Sequence, residues 1–379
     1  MIDDLKRRNA YLLNVALWVV ILSAVLLLTN LAASILTPLI IAGLYSILVI
    51  RFVDFLEQRT FLNRVFSIII VIVVTLILVS ALFYLLSSQV ANFFDNLPEI
   101  KQNLEGHYTK LQKWIATNFN LSLSEQNEMI ENGTDAPLSK TKDIIFENNI
   151  LGSVSSVMVN VTLVPVYSFL ILLYKKRFKK FLFAKFAEGN GERLSKILAR
   201  IKELVKFYLT GLLLQMSFIF LLSLLGFWIV GAPHIIFLAL LCALLNLIPY
   251  VGILVAGFIS VLSTVAATNN PTAILGVIAV IGVVQILENN VISPKVVGSK
   301  VRLNPLATIV GVIGGGAIAG VSGMFLAIPL LAIINIITQN VESLIPYSYI
   351  ISDTKIEDIE DRYQELEEDK EVQEMESAE

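Results

Sequence analysis

The chain has 379 residues, of which 56% are hydrophobic and 16% are charged, and its mean hydropathy is +0.77. Soluble domains carry about 25% charged residues, so this composition argues against a cytosolic enzyme and indicates a membrane protein. The net charge of −3 conceals an uneven distribution, because residues 353–379 carry 13 acids and 3 bases and leave the preceding chain near +7. One cysteine and two histidines exclude an intrachain disulfide and a cysteine-built metal site, and they leave little for a histidine centre, so no metal or cofactor is predicted.

Long apolar runs follow one another along most of the chain. A helix needs about 20 mainly apolar residues to cross a bilayer, and the runs at 11–29, 33–50, 65–87, 151–174 and 207–230 meet or approach that length. Shorter runs follow at 233–248, 251–267 and 272–287, and the last apolar stretch, 305–337, is interrupted by glycines. The predicted fold is an all-α polytopic integral membrane protein with about six secure transmembrane helices plus two Gly/Pro-broken helical hairpins.

Lysine and arginine are concentrated in loops that alternate along the chain, most strongly at 175–206, which predicts cytoplasmic N- and C-termini. The expected location is the bacterial inner membrane. Two amphipathic helices are predicted outside the spans, one near 97–115 and a basic one at 192–208 that suits an anionic leaflet. The predicted segments are N-terminal transmembrane helices 1–3 (1–87), an extracytoplasmic helix and loop (88–149), transmembrane helix 4 (150–174), a basic cytoplasmic loop (175–206), a transport core (207–340) and an acidic cytoplasmic tail (341–379).

Two apolar pairs are broken by glycine or proline, at 246–252 and at 314–323. Irregular backbone at membrane depth has to be buried in protein or line a wet cavity, because lipid offers no hydrogen bonds. Interrupted hydrophobic segments therefore point to a transporter's substrate site. The alternative is an ordinary turn at the membrane surface with glycines that serve helix packing. The sequence leaves open whether each pair is re-entrant or crosses fully.

A polar stretch lies between the two breaks. Gln285, Glu288 and Asn289 are spaced to share one helical face, and Glu288 is predicted to carry a proton or a cation as the coupling or gating charge. The alternative is a surface loop in which Glu288 pairs with Lys295 or Arg302.

The next helix is predicted to begin at Asn304-Pro305, because Asn suits an N-cap and Pro suits the first helical position. Its N-terminus would offer N–H groups and a positive dipole end to a small polyol, a carboxylate or a phosphate. The complete predicted substrate path or gate consists of Asn246, Pro249, Tyr250, Gly252, Gln285, Glu288, Asn289, Asn290, Asn304, Pro305, Gly311, Gly314, Gly315, Gly320 and Gly323.

At these residues the chain resembles the autoinducer-2 exporter (AI-2E) family of bacterial membrane proteins. The resemblance rests on the run Ile248–Gly252 and on the stretch from Gln285 to Pro329, and the hydropathy layout extends it over the whole chain. It implies a multi-span inner-membrane transporter that is oligomeric. Family members have been linked to export of autoinducer-2 and others to exchange of sodium or lithium against protons. Many relatives have Gly-Gln at the start of the fifth span, where this chain has Gly211-Leu212, and Gln215 lies one turn later as a substitute.

Enzymatic function is not predicted. No glycine-rich loop ends in Lys-Ser or Lys-Thr, so ATP-driven transport by this chain alone is not expected. The run Gly320–Gly323 is similar to the Gly-x-Ser-Gly of intramembrane serine proteases, but His234 precedes Ser322 in sequence, in the opposite order to those proteases.

Three functional classes remain. Export of a small polar solute such as autoinducer-2 comes first, Na+(Li+)/H+ antiport second, and a non-transporting membrane scaffold third. The expected partners are a small-molecule or ion substrate, membrane lipids and further copies of the chain, with no nucleic acid.

Overall fold

The computed structural model describes residues 33–95, 112–118, 150–186, 191–248, 251–268, 270–296 and 301–354, with a few single positions elsewhere. These residues are almost entirely α-helical, and their only β-pairing is an isolated antiparallel bridge between Leu303 and Ser352. The predicted all-α fold is therefore confirmed. The predicted span at 11–29, most of the outer segment and the tail beyond 354 lie outside the described residues, as do Pro249 and Tyr250.

Nine helices are labelled here in chain order. They are α1 (Ala33–Arg59), α2 (Arg64–Asp95), α3 (Ile150–Phe186), α4 (Gly191–Ile229), α5 (Ile235–Leu245), α6 (Val251–Ala267), α7 (Pro271–Leu287), α8 (Pro305–Thr338) and α9 (Ile345–Ile351). A π-helical turn (Glu288–Ile292) and a short helix (Ser293–Val296) continue α7, and a 3-10 turn (Glu342–Leu344) precedes α9. In the described part of the chain, five helices are long and apolar enough to cross a membrane: α1, α2, α4, α7 with its continuation to Val296, and α8.

The predicted basic loop at 175–206 is mostly helical. α3 runs on to Phe186, and α4 begins at Gly191 and continues without a break into the fifth predicted span. Apolar residues at three- and four-residue steps let this basic stretch keep one packed face while most of its charged side chains stay exposed. The predicted amphipathic helix at 192–208 is thus the first half of α4.

The outward faces of the spans are apolar. Leu78, Trp228 and Leu275 are each more than 60% exposed, and only 22–33% of each span's most apolar window is buried within the protein. Such surfaces suit contact with lipid acyl chains, which are as apolar as these side chains. The exposed surface and the helix lengths together support a multi-pass membrane protein.

The chain forms two compact units. Unit 1 comprises Met1–Arg51, Thr162–Lys206 and Val301–Glu379, and unit 2 comprises Phe52–Val161 and Phe207–Lys300. Each unit contains one of the two broken segments, with α5 and α6 in unit 2 and α8 in unit 1.

In unit 2, α4 and α7 pack closely in antiparallel directions. A Cβ at Gly226 would lie 2.5 Å from Val280, and a Cβ at Gly276 would lie 2.8 Å from Val230. Small residues allow such approach in membrane helices. The buried cluster around this contact contains Phe227, Leu238, Ala256, Val277 and Val284, among others, from α4 to α7.

Candidate functional site

Glu288 and Gln215 form a buried polar pair in unit 2. The Gln215 amide donates to Glu288 Oε1 at 2.8 Å, and the two residues are 6% and 7% exposed. Because α4 and α7 run antiparallel, Gln215 on α4 faces Glu288 at the end of α7, further along the two helices than the Gly226–Val280 contact. Gln215, which the sequence offered as a substitute for the relatives' glutamine, is thus bonded to the predicted coupling residue.

The backbone is irregular at Glu288. Glu288 opens the π-helical turn that ends at Ile292, and both of these residues are buried. Single π turns inside α-helices occur frequently at functional sites. Because the helix continues to Val296, Glu288 lies inside a candidate membrane span and not in a surface loop. In the described part of unit 2 its hydrogen bond goes to Gln215, and no ion pair joins it to Lys295.

Two buried oxygens near this turn lack hydrogen-bond partners among the described residues. They are Glu288 Oε2 and Gln285 Oε1. The Gln285 amide nitrogen donates to Asn289 Oδ1 at 3.0 Å, as expected for residues one turn apart on one face. Asn290 instead bonds to the Ile286 carbonyl and is exposed. Unpaired buried acceptors cost free energy, so a donor or a cation would stabilise this arrangement.

The break at 246–252 brings the ends of α5 and α6 close together. A Cβ at Gly252 would lie 1.7 Å from the Leu245 carbonyl oxygen, so only glycine fits there. Asn246 caps the end of α5, and its buried Nδ2 has no partner among the described residues. At 1.5 Å per residue, the 11 residues of α5 extend only about 16 Å, which is half of a bilayer core of about 30 Å. α5 is therefore too short to cross a bilayer alone.

The second broken segment, α8, is a helical hairpin in unit 1. The chain reverses at Ala319 and Gly320, and Gly320 has φ 58 and ψ −142, a conformation that only glycine adopts readily. The two arms then touch through backbone, since a Cβ at Gly323 would lie 1.9 Å from the Gly315 carbonyl oxygen. The break is narrower than predicted, because Gly314 and its neighbours stay helical.

The base of this hairpin is closed by polar contacts. Asn304 caps α8 as predicted, accepting from the Leu306 N–H at 2.8 Å, with Pro305 in the first turn. Near the end of the second arm, the Asn335 amide donates to the Arg302 carbonyl at 2.9 Å. Asn335 was absent from the predicted site, and its only sequence signal was a polar residue in an apolar run.

The predicted site residues fall into two groups. Unit 2 contains Gln285, Glu288, Asn289 and Asn290 together with the α5–α6 break, and it pairs Glu288 with Gln215. Unit 1 contains the cap at Asn304-Pro305 and the glycines of α8, from Gly311 to Gly323. Among the described residues, no group of three His, Cys, Asp or Glu side chains is placed to hold a metal ion.

Comparison with known proteins identifies relatives over most of the chain. Residues 15–343 match a family described as AI-2E family transporter. The Bacillus subtilis protein named "Putative transport protein YueF" is 26% identical over 81% of this chain and 84% of its own. The Escherichia coli K12 protein named "Putative transport protein YhhT" is 25% identical over 86% and 89%. A Halobacillus andaensis protein named "Sodium-lithium/proton antiporter" is 23% identical over 78% and 86%.

Proposed function

Because the chain belongs to the AI-2E family of transporters, we propose that it is a secondary transporter that exports a small polar solute of the autoinducer-2 type. Glu288 serves in this proposal as the coupling or gating carboxyl. The observation that carries the proposal is the buried Glu288 side chain, with one oxygen held by Gln215 and the other without a partner among the residues that the structure describes.

The chemistry of that carboxyl supports a coupling role. A charged carboxylate removed from water needs a cationic partner, and the described part of unit 2 supplies no ion pair to Glu288. A proton or a bound cation supplies the missing charge. Intramembrane acids are costly to retain, which is why they mark ion and proton paths in transporters. Release of that proton or cation would change the hydrogen bonding at Gln215 and in the adjacent π turn.

Na+(Li+)/H+ antiport is the second candidate. It is favoured by the same unpartnered oxygen, because carboxylate and amide oxygens are ligands for hard cations. The relative named "Sodium-lithium/proton antiporter" adds support from its similarity alone. Under this reading, sodium and protons compete for Glu288, with Gln285 Oε1 as a second oxygen ligand.

The test uses the full chain reconstituted in proteoliposomes. Efflux of labelled autoinducer-2 and of radioactive sodium is measured with and without a pH gradient. Solute efflux that depends on the protein supports the exporter, sodium flux coupled to protons supports the antiporter, and the absence of both supports a scaffold. Each arm is repeated with Glu288→Gln, which keeps the hydrogen-bonding shape and removes the charge.

Glu192→Gln is the matched control, because Glu192 is an exposed acid on α4 that pairs with Lys196 at 2.9 Å. We expect Glu288→Gln to lower flux at least tenfold and to flatten its pH dependence, while Glu192→Gln behaves as the unmodified chain. Unchanged flux and unchanged pH dependence in Glu288→Gln would remove Glu288 from the mechanism.

A further inference from the structure

Unit 1 contains a cavity of about 630 Å³ on the side where the predicted cytoplasmic ends of its helices lie. α1, α3, the first half of α4 and the second arm of α8 form its walls. The lining side chains are almost all apolar: Leu39, Ile40, Leu44, Ile47, Ile50, Ile171, Leu172, Phe178, Leu182, Leu198, Leu330 and Ile333, with Gly43 and Ser46. Leu39 and Phe178 are 40% and 53% exposed, so the cavity is open to its surroundings.

The charged side chains that line the cavity are all basic. They are Lys175 and Lys179 of α3 and Lys202 of α4, and no acidic residue lines it among the described residues. Lys179 and Lys202 are exposed, so their ammonium groups reach the surroundings while their stems border apolar wall. An apolar groove with a rim of one charge sign is complementary to an anionic amphiphile and not to a small polar solute.

The basic wall is held in place by contacts within unit 1. Arg193 donates to the Asn340 carbonyl and Arg200 lies 3.5 Å from Asn340 Oδ1, which ties the first half of α4 to the end of α8. Lys202 is on the same half of α4, one helical turn after Leu198. These contacts hold the half of α4 that carries Lys202 against the end of α8.

We propose that this cavity binds one anionic phospholipid of the predicted cytoplasmic leaflet. The acyl chain lies along the apolar groove, and the phosphate contacts Lys179 and Lys202. Basic pockets between membrane helices on the cytoplasmic side suit anionic headgroups. Acyl chains make equivalent apolar contacts in the groove and in the bilayer, whichever headgroup the phospholipid carries. The preference for an anionic headgroup therefore arises from the lysines at the rim. The site is distinct from Glu288 and from the proposed transport activity.

The test compares phospholipid retention by the full chain. Purified protein is stripped of lipid, exposed to equal amounts of an anionic and a zwitterionic phospholipid in detergent, and examined by native mass spectrometry. The unmodified chain is expected to retain one anionic lipid. K179Q/K202Q is expected to lower the preference for the anionic lipid about 30-fold, which is about 2 kcal/mol.

K176Q/K180Q is the matched control, because Lys176 and Lys180 are exposed lysines of the same helix that do not line the cavity. It should keep the preference within threefold. Equal losses in the two double variants would mean that general surface charge holds the lipid, and would overturn the proposal. So would an unmodified chain with no anionic preference.

A second variant tests the groove without changing charge. Gly43 lines the cavity and a Cβ there meets no atom within 4 Å, so Gly43→Leu adds apolar side-chain volume to the cavity wall. Gly282→Leu is its control, since Gly282 also has open space and lies outside the cavity. We expect at least tenfold less retained anionic lipid in Gly43→Leu alone, and equal retention in both variants contradicts the proposal.

The occupant is identified by a photoreactive benzophenone amino acid introduced at position 43. Crosslinking to a phospholipid that decreases in K179Q/K202Q but not in K176Q/K180Q supports the proposal. Crosslinking to a peptide from residues 11–29 would mean that the chain's own predicted first span fills the groove. Crosslinking to a second copy of the chain would make the groove a subunit interface, and either result overturns the lipid assignment.

Discussion

An alanine at Gly323 would place its Cβ 1.9 Å from the Gly315 carbonyl oxygen in the facing arm of α8. Real Cβ atoms essentially never approach another heavy atom within 3.0 Å, so the arms would have to separate by about 1.1 Å, the difference between these distances. The obstacle is backbone and cannot rotate away. Overpacking of this kind costs about 1–3 kcal/mol, whereas alanine gains about 1 kcal/mol over glycine in a helix interior.

The net expectation for Gly323→Ala is therefore a loss of about 0–2 kcal/mol in the free energy of unfolding. Gly314→Ala is the control, because a Cβ there meets no atom within 4 Å, and we expect no loss or a small gain. Gly311→Ala should fall between them, since its 2.4 Å contact is with the Leu331 side chain, which can change rotamer. Unfolding of the purified protein in mixed micelles with increasing sodium dodecyl sulfate measures all three. Equal stability of Gly323→Ala and Gly314→Ala would refute the packing of the arms.

Three further predictions use the same unfolding measurement. Gly226→Ala should destabilise by about 0–2 kcal/mol, because its Cβ would lie 2.5 Å from Val280 while alanine gains about 1 kcal/mol over glycine in a helix. Adding Val280→Ala should recover part of any loss, and additive effects of the two changes would contradict the contact. Asn304→Ala should cost about 1 kcal/mol through loss of the cap on α8, while Asn304→Asp should cost little, and equal losses would argue against capping. Asn335→Leu should cost about 0.5–1.5 kcal/mol through loss of the partly buried hydrogen bond to the Arg302 carbonyl, and an unchanged stability would contradict a stabilising role for that bond.

Much of the fold was predictable because hydropathy and local signals act over short distances. The start of α8 followed from Asn304-Pro305, and the turn between α5 and α6 followed from the glycine and proline at 246–252. The extension of α3 to Phe186 was missed, because lysine-rich sequence outside a membrane reads as a loop although lysine is a good helix former.

The site was only partly predictable, because hydrogen bonds across long sequence separations have no local signature. Gln285 and Glu288 share a face by spacing alone, but the bond from Gln215 depends on how α4 and α7 pack. The same holds for Asn335, whose partner lies 33 residues away. The width of the second break was overestimated, since consecutive glycines permit a turn without requiring one, and Gly314–Gly316 remain helical.

The residues at the two ends of the α8 hairpin are hydrogen-bonded to each other and to the chain that follows the hairpin. The Asn335 amide holds the Arg302 carbonyl, and the Ile351 carbonyl accepts from the Asn304 N–H at 2.9 Å. Separating the two arms of α8 would break the Asn335–Arg302 hydrogen bond and open the close contact between Gly315 and Gly323. Moving the whole hairpin as one body would preserve both that bond and the contact between the arms. A movement of this hairpin during a transport cycle is therefore least costly as a rigid-body motion. The accompanying conformational change would then occur in the residues around the hairpin.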